Sequence, residues 1–276
     1  MFLYARGNKP VELTFYEDDE PFIKAQAKRF RMEDARIYAN DVSLTLSWQG
    51  DSIVHPQLNL NYIDSLKSLT FERSKQNIGM SPIRSSYHQL DCYFDAMEWR
   101  RDSSAIFFSN SGSPGYNPAL LESYDYYSED RYRDIETMDK RHPAFMLRTL
   151  SRESRAERMF FLEEIAKYYR FSVDNAHQLM TDFAVLGFVD FNTDLGYVSI
   201  KDRLFNFLES RLEERDYDQL RMVSRSNSDP YARMDLRSGD LQVMGVSLVE
   251  LSDSNKVAVF PYEEEITIHG NRDFTV

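Results

Sequence analysis

The chain is short of the residues that staple or catalyse. Its 276 residues include a single cysteine, Cys92, which excludes an intramolecular disulfide. That scarcity fits the cytosol and equally fits exported bacterial proteins that fold without bridges, so the compartment stays open. Ten glycines are spread singly. The stretch Gly112-Ser113-Pro114-Gly115 lacks the following helix and lysine that a phosphate cradle needs. Five histidines (His55, His88, His142, His177 and His269) stand far apart, without the spacing of a metal-binding helix. No cofactor, metal site or catalytic motif is therefore expected. No run of about eighteen apolar residues exists to span a bilayer as a helix. The start, Met1 to Gly7, has no basic segment leading into a long apolar one, unlike a signal peptide. Positive charge is also in deficit: 33 Lys and Arg stand against 45 Asp and Glu, a net charge of −12. Averaged over the surface, that charge repels a phosphate backbone.

Aromatic residues are plentiful, at 14% of the chain and mostly Tyr and Phe, and they suit half-buried pleated surfaces. Alternation confirms the preference. Ile37 and Ala39, then Val42, Leu44, Leu46 and Trp48, step by two after a slip near Asn40, as in a strand with a bulge. Gln49-Gly50-Asp51-Ser52 reads as a turn, and Val54, Pro56, Leu58, Leu60 and Tyr62 resume the period. Leu90, Cys92, Phe94 and Ala96 alternate further on. Residues 109–142 read as a long polar connection, helical at most near Ala119–Tyr124. Beyond the breaker cluster 224–230, alternation returns through Met234, Leu236, Leu241, Val243, Val246 and Leu248 to Ile266 and Ile268. Short matches link the two β regions: Arg31-Met32-Glu33 with Arg233-Met234-Asp235, Val42-Ser43-Leu44 with Val246-Ser247-Leu248, and Pro56 with Pro261. They read as a repeated unit or as the shared composition of strand and turn. The end, Asn271 to Val276, stops inside an alternating pattern, as a piece of a longer chain would.

The centre is helical. Phe145-Met146-Leu147-Arg148-Thr149-Leu150 starts one helix, and Leu162, Ile165, Ala166 and Tyr169 share one face of a second. Ser172 caps a third with Ala176, Leu179, Met180, Phe183 and Leu186 inward, and Gly187 stands at its C′ position. Phe188 to Phe191 and Tyr197 to Ile200 then form a hairpin. In this order of elements the segment from about Ala144 to Asp202 resembles the winged-helix family. The expected fold is α+β: β-rich flanking regions of antiparallel sheet around a central winged-helix domain. The boundaries are 1–135, 143–217 and 230–276, the last region related to 31–75. More faintly, Tyr38-Ala39-Asn40-Asp41-Val42, His55 to Leu60 and Ile268 to Phe274 resemble internal stretches of large exported proteins of Bacteroidota. That resemblance implies an envelope-associated scaffold; without it a cytoplasmic protein is expected.

Winged helices imply nucleic-acid binding, yet Phe171 to Ile200 contains neither Lys nor Arg. Lys and Arg contacts to phosphate supply most of such affinity. A protein partner, or the remainder of a longer chain, is the expected ligand. The candidate contact surface is Asp174, Asn175, His177, Gln178, Asp182 and Asp194. Arg148, Arg152, Arg155 and Arg158 read as a solvated helix with i,i+4 pairs to acids, and only they offer a basic face for a nucleic-acid-binding regulator. A second alternative is a carboxylate-based carbohydrate-active enzyme, with Asp91 and Asp95 on one strand face. Tyr116, Tyr124, Tyr126 and Tyr127 offer an aromatic loop surface, or else staple the loop to the sheet. Glu17-Asp18-Asp19-Glu20 reads as a polar turn.

Overall fold

A computed structural model of the chain describes residues 2–4, 9–74, 77–111, 117–136, 142–155, 157–193, 195–215, 219–227, 229–251 and 256–276. The elements run β1 (Phe2–Tyr4), β2 (Val11–Glu17), β3 (Glu20–Ala27), β4 (Arg29–Glu33), β5 (Arg36–Trp48), β6 (Asp51–Ile63), β7 (Ser68–Arg73) and β8 (Ile83–Ser85). Then come β9 (Leu90–Tyr93), β10 (Ala96–Arg100), β11 (Ala105–Ser109), β12 (Ala119–Ser123), α1 (Glu129–Ile135), α2 (Pro143–Glu153), β13 (Met159–Phe161), α3 (Leu162–Tyr169) and α4 (Val173–Val185). The chain closes with β14 (Val189–Asn192), β15 (Tyr197–Ile200), α5 (Asp202–Arg211), β16 (Arg221–Ser224), β17 (Ala232–Asp235), β18 (Leu241–Glu250), β19 (Lys256–Ile268) and β20 (Phe274–Thr275).

The expected α+β arrangement is overturned. Strand makes up 47% of the protein against 24% helix, and seventeen strands form one antiparallel sheet. The protein is mostly β, with no central winged-helix domain between two β domains. The physical reason is strand pairing. Ala119 to Ser123, expected to be helical at most, is strand β12, which pairs directly with β16 through Leu120–Val223 and Leu121–Met222. The chain therefore leaves one strand and returns on its neighbour, and α1 to α5 form an excursion from a single sheet. The strands after 230 join that sheet through β11 and β17.

The sheet closes on itself. Leu58 to Ile63 of β6 pair with β7, and that branch continues through β10 and β11 to β17. Ile53 and Val54 of β6 pair with β8, and the second branch continues through β9 and β12 to β16. Both branches rejoin on β18, at Leu241–Val243 and Val246–Glu250. A ring of this kind removes edges from its own strands. It encloses an apolar core that includes Phe71, Phe94, Met97, Trp99, Met222 and Val243. The helices and the three-stranded sheet of β13, β15 and β14 enclose a second core around Leu147, Ile165, Phe183, Phe188 and Phe207.

The strand pattern occurs twice. β5 gives one edge to both β4 and β3, and β18 gives one edge to both β17 and β16. Met32 pairs with Ile37 as Met234 pairs with Leu241, and Arg31 with Tyr38 as Arg233 with Gln242. Register shifts fall between Ala39 and Val42 in β5 and between Val243 and Val246 in β18. Each bulge holds a positive-φ residue, Asp41 at 56° and Gly245 at 66°. β1 and β2 flank β4 and β3 as β11 and β12 flank β17 and β16.

Gly245 shows how tightly the second bulge is packed. A Cβ there would lie 2.5 Å from Ser226 Cα and 2.6 Å from Ser226 N. Gly50, at the tip of the β5–β6 hairpin, has a φ of +91° and open space around it. Gly245→Ala is expected to cost about 3 kcal/mol, from left-handed strain plus overpacking. Gly50→Ala should cost about 1 kcal/mol, from conformation alone. Urea unfolding of both variants checks this, and equal costs would contradict it.

Candidate functional site

The sheet and the helices meet across charge. β9 and β12 are covered on both faces, by the ring interior on one side and the helices on the other, so alternate residues cannot escape to solvent. Asp91 and Glu122 are consequently 0% exposed. They are also direct cross-strand neighbours, a placement that costs free energy for like charges. The row extends on both sides: Arg84 lies opposite Asp91, Arg221 opposite Glu122, and Glu250 opposite Arg221. Five strands thus carry a line of five charged side chains.

One residue from the helices bridges the two acids. Arg203, in the first turn of α5 and 2% exposed, donates from Nη1 to Asp91 and from Nη2 to Glu122. Arg84 Nε donates to Asp91 Oδ1 at 2.9 Å, and Arg131 of α1 forks onto Glu122 at 2.8 and 3.0 Å. Arg221 Nη1 reaches Glu250 at 2.7 Å. Arg84 Nη2 also donates to the Gly187 carbonyl at 2.9 Å, tying the end of α4 to the same row. Burial alone would push the Glu122 carboxyl up, but Arg131 and Arg203 outweigh it and hold its pKa at about 2. Burial opposes the charge of Arg203, and Asp91, Tyr93 and Glu122 more than offset that, raising its pKa. Burial pushes Tyr93 up to about 12 and the Cys92 thiol above its ordinary value. Glu122 is thus held as a paired carboxylate.

Two histidines pin loops to the ring from within. His55 Nε2 donates to the Ser81 carbonyl at 2.8 Å, while Nδ1 accepts from the Gln57 N–H at 3.0 Å. His88 Nε2 donates to the Gly239 carbonyl at 2.8 Å, and Nδ1 meets Ser85 Oγ at 2.8 Å. Both are 1% exposed, His55 on β6 and His88 in the turn between β8 and β9, so neither is a surface residue. Burial lowers their pKa values to about 3 and about 4.

The residues singled out from the sequence fall in three places. Asp174, Asn175, His177, Gln178 and Asp182 are all exposed on α4. Asp174, Gln178 and Asp182 follow one another at i,i+4, and Gln178 Nε2 donates to Asp182 Oδ1 at 2.9 Å. Asn175 N–H is taken by the Ser172 cap, and the His177 ring lies 5.0 Å from that of Phe191. Asp194 lies outside the described residues, as does Tyr116. The other tyrosines do not form an aromatic surface: Tyr126 and Tyr127 are buried at 2% and 9% exposure. Tyr127 packs on Phe207, and half-buried Tyr124 lies under Arg84 and donates to the Ser85 carbonyl at 2.7 Å. They hold the loop down.

Asp91 and Asp95 do not share a strand face, because β9 ends at Tyr93. Asp95 instead accepts from Ser111 and Asn117. The solvated basic helix also fails. α2 ends at Glu153, Arg148 is buried against Glu214, and Arg158 pairs with Asp202. Among the described residues no group of three or more His, Cys, Asp or Glu could hold a metal ion, and no helix is long and apolar enough to cross a membrane. Comparison of the chain with protein-family models, with curated proteins and with solved structures gave no match.

The ionic joint escaped the sequence reading, since Asp91 and Arg203 are far apart in the chain and acids on strands read as solvated. One signal was present. Arg203 shares a helix face with Phe207 at i+4 and Ser210 at i+7, and that face is apolar around it.

Removing Arg203 leaves two adjacent buried carboxylates, so Arg203→Met is expected to destabilise by roughly 3–5 kcal/mol, measured by urea unfolding; a loss below about 1 kcal/mol would contradict the joint. The histidines set an acid limit. Their folded pKa values lie below the unfolded value, so the unfolded chain binds more protons below about pH 6.5. Stability is full above that pH and falls by up to about 1.4 kcal/mol per histidine per pH unit down to about pH 4. Glu122, also depressed, adds its loss below about pH 4.5. Thermal unfolding from pH 7 to 4 should show the decline, and a His55→Gln, His88→Gln double variant should flatten it.

Proposed function

We propose that this chain is a non-enzymatic structural and protein-interaction scaffold, part of a larger envelope-associated assembly. In this reading the exposed acidic face of α4 contacts a protein partner. The observation that carries it is the row Asp174, Gln178, Asp182 on an exposed helix face, within a segment from 171 to 200 that contains no Lys or Arg. The next cation along the chain, Lys201, is engaged by Asp190. A basic helix or loop complements such a face.

The interior charges support a structural role. The buried carboxyl of Glu122 is held ionised by Arg131 and Arg203, whereas acid–base chemistry of the glycosidase kind needs one carboxyl with a raised pKa. A nucleic-acid reading needs a basic face, and Arg148 and Arg158 are committed to Glu214 and Asp202.

The test is titration of the full chain with a lysine-rich helical peptide, read by backbone amide shifts, and separately with a duplex DNA. Expected are shifts confined to α4, loss of binding at high salt, and about fivefold weaker binding in Asp174→Asn, Asp182→Asn. Tight DNA binding at moderate salt, or peptide shifts spread away from α4, would overturn the reading.

A further inference from the structure

The doubled strand pattern contains its own template for a missing contact. In the second copy of the pattern, the outer edge of β11 is occupied by β10, through Ala96–Ser109 to Trp99–Ile106. The outer edge of β12 is occupied by β9, through Tyr93–Leu120 and Cys92–Leu121. β9 and β10 belong to opposite branches of the ring, so residues 90–100 arch from one branch to the other through Phe94 and Asp95. Phe94, Met97 and Trp99 of the arch are buried in the core, with Phe94 5.1 Å from Phe108 and Trp99 5.3 Å from Phe22.

In the first copy no described strand lies on the same edges. Among the described residues β1 pairs in register with β4 and β2 with β3, and neither has a second strand in register with it. Burial follows the difference: Ala119 and Leu121 of β12 are fully buried, whereas Val11, Leu13 and Phe15 of β2 pack on the core only partly covered. Tyr16 beside them is 51% exposed. Bare strand edges over partly covered apolar side chains favour the addition of a strand.

We infer that the outer edges of β1 and β2 form a strand-accepting site for an extended segment of another polypeptide, one with the shape and patterning of residues 90–100. The occupant lays one strand on β2, turns across the mouth with a bulky apolar residue inward, and lays a second strand on β1. Backbone hydrogen bonds supply much of the contact, and alternate apolar side chains set the register. A second copy of this chain offers no such segment, because its own β9 and β10 are paired on both edges.

The template dictates the experiment. Four residues separate β10 from β11, so residues 82–104 of this chain, placed directly before Phe2 in place of Met1, put copies of β9 and β10 within reach of β2 and β1. Amide hydrogen exchange on this extended chain is expected to show at least tenfold slowing across Val11–Glu17, with protection in the added strands. An extension that exchanges as an unstructured peptide and leaves β2 unchanged would overturn the inference. So would equal slowing by a scrambled extension. Concentration-dependent protection of β2 in the unextended chain, with a matching rise in mass, would assign the site to a second copy and also overturn it.

Discussion

The structure turns on a single electrostatic constraint, the two adjacent carboxylates of Asp91 and Glu122 buried between sheet and helices. Side by side on paired strands and away from water, they repel each other and lose hydration, and neither cost is small in a low dielectric. Arg203 answers both at once because its two terminal nitrogens reach one acid each. The guanidinium is planar and always charged, so a lysine at this position could not make the same bridge. Arg84, Arg131 and Arg221 satisfy the remaining oxygens or extend the row. The helices thus meet the sheet through directional, paired charges, while the sheet and the helices each keep their own hydrophobic cluster.

Ring closure supplies the second constraint. Two branches leave β6 and reconverge on β18, so a slip in either branch would have to be matched in the other. The bulges at Asp41 and Gly245 bend the long strands where one edge must serve two partners. The same geometry leaves the two copies of the pattern unequal among the described residues: β9 and β10 flank one, and no strand flanks the other at β1 and β2. The proposed scaffold role would draw on the closed ring, the acidic face of α4 and the strand edges of β1 and β2.

The amino-acid sequence made local structure visible where periodicity is strict. The slip near Asn40 marks the bulge of β5, the Gln49-Gly50 turn marks its hairpin, and helix faces at Leu162–Tyr169 and Ala176–Phe183 are plain. It hid what depends on pairing between distant segments. Ala119 to Ser123 carries too few residues to show a period, and only its neighbours β9 and β16 make it a strand. The separate central domain was misread because β12 and β16 are adjacent in space while far apart along the chain. Tyr126 and Tyr127 resemble surface aromatics in a polar loop, yet they are buried against α5 and Arg221. The joint itself was nearly invisible, since an aspartate on a short strand looks solvated until a helix covers it. The acidic row on α4 was legible because an exposed helix face needs no distant partner.

The most direct test of the central claim is a double-mutant cycle between Arg203 and Glu122, read by hydrogen exchange in both the ring and the helices. The account predicts a coupling above about 1.5 kcal/mol, in the range of buried hydrogen-bonded charge pairs. It also predicts that in Arg203→Met the helices open at lower free energy than the ring, whereas in the parent protein both open together. Coupling near zero, with both cores still unfolding as one unit in Arg203→Met, would contradict it.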